Sequence, residues 1–304
     1  MNISILYGGT STEHKISIQT GLAVAEAING RYKIDMVNLE KEIYMSPHNL
    51  LDTDLVFNAL HGGDGENGTI QAYLDLHHIA YTGSGSKASK IAMDKNLSKI
   101  ISQSIKIPTP DWILLKKDQY TGLKLQKYKT SKFSYPYVIK PSNEGSTYGL
   151  SIIHDKSELP EAIGKASQYS NEILIEEYIP GREITVGILG SKTLPIIEIK
   201  PSHNFFDFEC KYTQGMSDYI IPAELSDSLI RKLSNDAIKI YNTIGCRHYA
   251  RADFRINDKG EYYFLEINTL PGLTSTSLLP KAANAIGLEF PDLIDTIIKL
   301  ATLR

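Results

Sequence analysis

Cysteine is scarce in this chain: two residues in 304, Cys210 and Cys246, far apart and outside any Cys-x-x-Cys pair. That scarcity argues against a disulfide scaffold and suits a reducing cytoplasm. No stretch approaches the ~18 consecutive apolar residues of a membrane span. Met1-Asn2-Ile3-Ser4 runs into a strand-like segment without a basic stretch or an apolar leader, so the expectation is a cytoplasmic protein with no membrane partner. Charge of one sign is missing as well. The 32 basic residues face 35 acidic ones for a net charge of -3, which argues against a nucleic-acid partner held by bulk charge. Low-complexity segments, like-charge tails and repeats of solenoid period are absent, and so is the Walker phosphate loop, GxxxxGK[ST].

What is present is ordinary globular composition, 42% hydrophobic and 22% charged, in a chain long enough for two domains or three small layers. The first eighty residues alternate strand and helix. Ile3–Tyr7, Ile34–Leu39, Leu55–Leu60 and Ile79–Gly83 read as strands, and a helix capped by Ser11 or Thr12 follows the first. Strand, glycine turn and helix in repetition predict a parallel sheet with its ligand-facing loops at the strands' C-terminal ends. Residues 1–86 are therefore expected to form a Rossmann-like unit. A helix over 87–104 leads into a small α+β unit, 87–180, and longer strands and helices fill 181–304.

Four segments carry candidate chemistry. Arg251-Ala252-Asp253-Phe254-Arg255 and Phe264-Leu265-Glu266-Ile267-Asn268 flank the turn sequence Asn257-Asp258-Lys259-Gly260. A two- or four-residue loop sets Arg251 opposite Glu266 and Asp253 opposite Phe264, leaving Asp253 and Glu266 as diagonal neighbours with Asn268 in the same row. Two carboxylates and an amide oxygen are hard donors suited to Mg²⁺ shared with phosphates. Glu266 lies in an apolar run, where an unpaired charge is costly. The second segment places Lys140 at a strand end before the small-residue loop Ser142-Asn143-Glu144-Gly145-Ser146-Thr147-Tyr148-Gly149, which fits either a phosphate cradle or a plain hairpin turn. Lys95, in Met93-Asp94-Lys95, adds a second lysine from a helix. Third, Glu176-Glu177-Tyr178-Ile179-Pro180-Gly181 ends a strand and suits a nucleotide-binding linker and a domain hinge equally. The fourth, Asn268 to Leu278, is rich in hydroxyls, contains Gly272 and runs into a helix start at Ser277, an arrangement able to hold an anion.

In this order the four segments resemble the ATP-grasp ligases. Gly8-Gly9-Thr10-Ser11-Thr12-Glu13-His14, His61-Gly62-Gly63-Asp64-Gly65-Glu66-Asn67-Gly68 and the loop through Ser277-Leu278 narrow the likeness to the D-alanine–D-alanine ligase family, from residue 3 to about 295. The resemblance implies an α/β and α+β chain with the ATP-grasp fold behind a Rossmann-like N-terminal domain. It also implies ATP-dependent joining of two D-alanines through an acyl phosphate, for peptidoglycan synthesis. The same machinery could serve a D-alanine–D-lactate or related depsipeptide ligase.

The resemblance further implies a role for each site residue. Lys95, Lys140 and Lys211 would hold phosphates, and Asp253, Glu266 and Asn268 two Mg²⁺ ions, replaceable by Mn²⁺. Glu13 would pair with the first D-alanine's ammonium, with His61 beside it. Arg251 and Gly272 would meet the oxyanion, and Ser277 and Leu278 the second D-alanine's carboxylate. Glu176, Glu177, Ile179, Glu183 and Leu265 would bind adenine and ribose. Ser146 and Tyr212 would join Glu13 in closing the site, and 203–219 would act as a moving lid. Tyr212 argues for an amine acceptor over lactate. A homodimer is implied too.

Overall fold

The described residues of the computed structural model are 1–39, 50, 52–120, 134–201 and 215–302, and their strands form three sheets. In the first, β1 (Asn2–Tyr7), β2 (Lys33–Asn38) and β3 (Leu55–Asn58) are parallel in the order β2-β1-β3. Ile3, Ile5 and Leu6 of β1 and Leu55, Val56 and Phe57 of β3 are all inaccessible, as expected of strands covered on both faces. The run Ile79–Gly83 contributes only a single bridge, Val56 to Tyr81, rather than a fourth strand. Its side chains turn to other partners. The Tyr81 hydroxyl donates to Asp75 at 2.8 Å, and the Arg247 guanidinium lies 4.8 Å from the Tyr81 ring.

Two helix boundaries also differ from expectation. The helix His14–Ile28 is preceded by Glu13, not by a capping Ser11 or Thr12. The Ser11 hydroxyl instead accepts from the Glu13 N–H at 3.1 Å and donates to the His61 carbonyl, stitching the first turn to the loop after β3. The expected helix over 87–104 is two helices, Ser86–Met93 and Lys95–Ser104. Asp94 separates them, because it is extended (φ -82, ψ 99) and its carboxylate accepts from the Leu97 N–H, a side-chain cap. The break brings Lys95 to the start of the second helix, against the cleft.

The second sheet is antiparallel and holds β4 (Trp112–Lys116), β5 (Tyr137–Pro141), β6 (Ser151–Ile153) and β7 (Glu172–Glu177) in the order β4-β7-β5-β6. The helix Leu159–Ala166 covers one face through Ala162, Ile163 and Ala166. The third comprises β8 (Arg182–Leu189), β9 (Lys192–Thr193), β10 (Ile197–Pro201), β11 (Ser217–Ile220), β12 (Tyr249–Ile256) and β13 (Tyr262–Asn268). Its order is β11-β10-β8-β12-β13, with β9 beside β8. β11 falls in the segment expected to be irregular. Residues 217–219 gain order from pairing with β10, a partner that no local pattern reveals. Of the lid expected over 203–219, residues 203–214 lie outside the described set. The helices Leu278–Asn284 and Phe290–Thr302 bury Leu279, Ile294 and Ile297 in one apolar cluster with Ile3, Val24 and Phe57 of the N-terminal layer.

The hairpin β12–β13 departs from the expected register in a way that shapes the cleft. Near the turn Ile256 pairs with Tyr262 and Phe254, not Asp253, with Phe264; beyond it Asp253 pairs with Glu266 and Arg251 with Asn268 rather than Glu266. The extra residue, Leu265, is a β-bulge. The alternation of β13 therefore slips by one. Phe264 and Ile267 both enter the core, and the consecutive Leu265 and Glu266 both line the cleft. The apolar run that made Glu266 look costly is thus divided between two faces.

His248, just ahead of β12, ties the N-terminal layer to the third sheet by accepting the Gly83 N–H on Nδ1 at 3.0 Å. Burial, helped by the neighbouring Arg247 charge, pushes its imidazole down to about 4 from 6.5. Protonation would place a hydrogen on the accepting nitrogen. The folded state therefore resists a proton that the unfolded chain takes up near pH 6.5, and stability is lost as pH falls from about 6.5 to about 4. The loss is at most about 3 kcal/mol. Urea titrations across that interval check this. His248→Asn, a residue tolerant of the positive φ of 67 here, should flatten the dependence.

Candidate active site

Two pockets meet between the sheets. One is lined by Glu13, His61, Arg251, Asn268, Gly272, Ser277 and Leu278, and the other by Lys140, Glu177, Ile179, Glu183, Arg255 and Leu265. Lys95, Gly145, Ser146 and Glu266 line both. Four segments distant in sequence thus converge on one cleft.

At the shared wall, Lys95 Nζ donates to the Glu144 carbonyl at 2.7 Å and lies 3.2 Å from Glu266 Oε2. Arg251 grips Asp253 with two parallel bonds, Nε to Oδ1 and an Nη to Oδ2, both 2.9 Å, and the Thr185 hydroxyl donates to the same carboxylate at 2.6 Å. Asp253 and Glu266 thus each have a cation beside them. Among the described residues no group of three or more His, Cys, Asp or Glu side chains could hold a metal. The available donors are the cross-strand pair Asp253 and Glu266 and the amide of Asn268, whose Oδ1 also accepts the Leu270 N–H at 2.9 Å. All are hard oxygens, two of them anionic and backed by cations, a set that fits Mg²⁺ rather than a softer ion.

On the N-terminal wall Glu13 is buried, and the Ser146 hydroxyl donates to its carboxylate across the cleft. Gly62 faces the same carboxylate. Its φ is +64, and a Cβ there would come within 2.8 Å of Glu13 Oε2, so both conformation and space require glycine. His61 is held from both ring nitrogens, Nε2 by the Thr20 hydroxyl at 2.9 Å and Nδ1 by Glu66 at 3.3 Å. The run Gly63 to Gly68 has the spelling GxGxxG, yet the helix it opens, Gly63–Glu66, is only four residues long and buries Glu66 against His61. Opposite, Ser277 Oγ accepts the Thr274 N–H at 3.1 Å and would lie 3.0 Å from a Cβ on Gly272. The hydroxyl and the Gly272 backbone therefore sit side by side.

Among the nucleotide candidates, Arg255 joins Glu183 at 3.2 Å and the Ile179 carbonyl at 3.1 Å, fixing the linker after β7 against β12. Glu176 lines the second pocket too, and it is 2% exposed, with its carboxylate between Lys140 and Lys99. Burial alone would raise that carboxyl, but the two lysine charges overcome it and hold it below the usual range. Lys211 and Tyr212 lie outside the described residues. Sequence reasoning missed Glu66, Thr185, Lys99 and Arg255. Alternation along β12 was the available signal for Arg255, which shares a face with Arg251 and Asp253.

Residues 101–299 match the family model described as D-ala D-ala ligase C-terminus, and 40–84 match that described as D-ala D-ala ligase N-terminus. A D-alanine–D-alanine ligase of Syntrophotalea carbinolica is 40% identical over 303 residues, covering 99% of this chain and 96% of its own length. The chain belongs to the D-alanine–D-alanine ligase family. Its ATP-grasp fold superposes on the crystal structure of the D-alanine–D-alanine ligase from Bacillus anthracis with a TM-score of 0.86 at 36% identity, covering 99% of this chain and 97% of that one. The Bacillus anthracis ligase is also known in complex with ATP. The VanG D-Ala:D-Ser ligase of Enterococcus faecalis aligns with a TM-score of 0.83 at 29% identity over 99% of both chains.

Proposed function

We propose that this chain joins two D-alanines at the expense of ATP, releasing ADP and phosphate. The observation that carries the reading is the convergence of two adjoining pockets on Lys95, Ser146 and Glu266. An amino-acid site and a nucleotide site need a common wall for a phosphoryl group to pass between them.

The first D-alanine's ammonium faces Glu13 and His61, and its carboxylate oxygen attacks the γ-phosphorus as the bond to ADP breaks. Lys95, Lys140 and Lys211 offset the phosphate charge. Asp253, Glu266 and Asn268 would hold two Mg²⁺, replaceable by Mn²⁺, which supply charge neutralisation on the phosphate oxygens when bound. The second D-alanine, its carboxylate on Ser277 and the Leu278 N–H, attacks the acyl carbon through its unprotonated amine. Arg251 and the Gly272 N–H stabilise the oxyanion as phosphate leaves. Glu176, Glu177, Ile179 and Glu183 take the base and ribose over Leu265, and Tyr212 with Ser146 closes the site around Glu13. We read residues 1–86, 87–180 and 181–304 as the substrate, central and metal-bearing domains of a cytoplasmic homodimer serving peptidoglycan synthesis.

A coupled ADP assay tests the reading. ADP release should depend on D-alanine, with L-alanine inert, and mass spectrometry of a D-alanine and D-lactate mixture should give D-alanyl-D-alanine. ADP release independent of D-alanine would overturn the ligase reading. The depsipeptide as main product would replace the acceptor.

A further inference from the structure

Behind the nucleotide pocket lies a buried cluster of one acid and two bases. The Glu176 oxygens face Lys140 Nζ at 2.8 Å and Lys99 Nζ at 2.6 Å. The two lysines are not equivalent. Lys140 lines the pocket, whereas Lys99, one helical turn beyond Lys95, is inaccessible to solvent and sits behind it. Lys99 Nζ also donates to the Thr109 hydroxyl at 2.8 Å, which donates to the Phe264 carbonyl at 2.8 Å, next to the bulged Leu265. The Trp112 ring lies 5.0 Å from the ammonium. The charged groups facing Lys99 are Glu176 from β7, Lys140 from β5 and Asp111 ahead of β4.

The charge arithmetic of this cluster gives Lys99 a task. With both lysines protonated and Glu176 ionised the cluster carries one net positive charge, and the cation facing the pocket is Lys140. Without Lys99 the Glu176 charge falls on Lys140 alone. The cluster becomes neutral, and its pull on an anion weakens in a setting where water screens little. We propose that Lys99 is a positioning residue for the nucleotide: it neutralises Glu176 so that the Lys140 charge is left unbalanced and in place toward the phosphates. This rests on the nucleotide reading of the pocket given above. Burial, against the opposing pull of Glu176, brings the Lys99 ammonium down to about 8. The cluster should therefore lose its net charge as pH rises through that value, and phosphate binding should weaken with it.

Calorimetric titration of the full chain with ADP and Mg²⁺ tests the proposal. Lys99→Met should weaken ADP binding by about tenfold or more, with the KM for D-alanine changed less than about twofold. The double variant Lys99→Met with Glu176→Gln restores one net positive charge at Lys140 and should bind ADP within about threefold of wild type. Between about pH 7 and about pH 9 wild-type affinity should fall, and the double variant should not share the fall. ADP binding by Lys99→Met within about twofold of wild type would overturn the proposal, as would a double variant as weak as the single one. Should Lys99→Met not fold, the double variant decides: a flat pH profile supports the assignment and a retained fall overturns it. Failure of the wild type to bind ADP at all would instead overturn the nucleotide reading.

Discussion

Glu266→Gln should lower the rate of ADP release by about a thousandfold or more, equivalent to about 4 kcal/mol of transition-state stabilisation, while circular dichroism and melting stay near wild type. Three observations lead to this. Glu266 lines both pockets. It stands directly across from Asp253, so the two carboxylates form one anionic patch on the sheet. Its charge balances Lys95 Nζ at 3.2 Å. The amide keeps the shape and loses the charge, so the anionic donor set proposed for Mg²⁺ is halved and Lys95 loses the Glu266 counter-charge while keeping its bond to the Glu144 carbonyl. The side chain is 30% exposed, and little folding energy rides on the ion pair itself. A folded Glu266→Gln protein turning over within tenfold of wild type would sink the proposed role.

Arg251→Lys is the second large effect, because it separates charge from geometry. The guanidinium makes two parallel bonds to Asp253, and both side chains are only 14% exposed. Lysine keeps the positive charge but cannot make the fork, so Asp253 would retain only the Thr185 hydroxyl and the donor aimed at the oxyanion would move. Removing one such donor typically costs about a hundredfold to a thousandfold in kcat. We expect that loss in kcat, with ADP affinity changed less than about threefold, since Arg251 lines the substrate pocket and not the nucleotide one. Rapid-quench measurement of kcat beside calorimetry of ADP checks both halves. A kcat within tenfold of wild type would remove Arg251 from the proposed chemistry.

Much of the cleft was legible in the chain because its residues lie in short, chemically dense runs. Lys140 followed by a small-residue loop, the acidic hairpin and the hydroxyl loop into Ser277 could each be found by eye. The hairpin register was not legible. The turn closes Asn257 on Glu261 across three residues rather than the expected two or four, which already shifts the pairing by one. Leu265 is extruded further on, where Phe264 and Ile267 both have apolar sites to fill. The ion pairs of the Glu176 carboxylate were not legible either, because nothing near it in sequence announces Lys99, which approaches from a helix ending 68 positions earlier, at Ser104 against the strand start at Glu172.

The sequence by itself determined the chemistry on offer: which acids, bases, hydroxyls and glycines exist, in what local order, and on which strands and helices. Those follow from side-chain type and short-range periodicity. Tertiary structure alone decided which charges neutralise one another. It set Lys95 against Glu266, Arg251 against Asp253 and two lysines about Glu176. The physical reason is that ion pairing in a cleft depends on through-space distance and on exclusion of water. Both are fixed only when sheets from different parts of the chain close on one another.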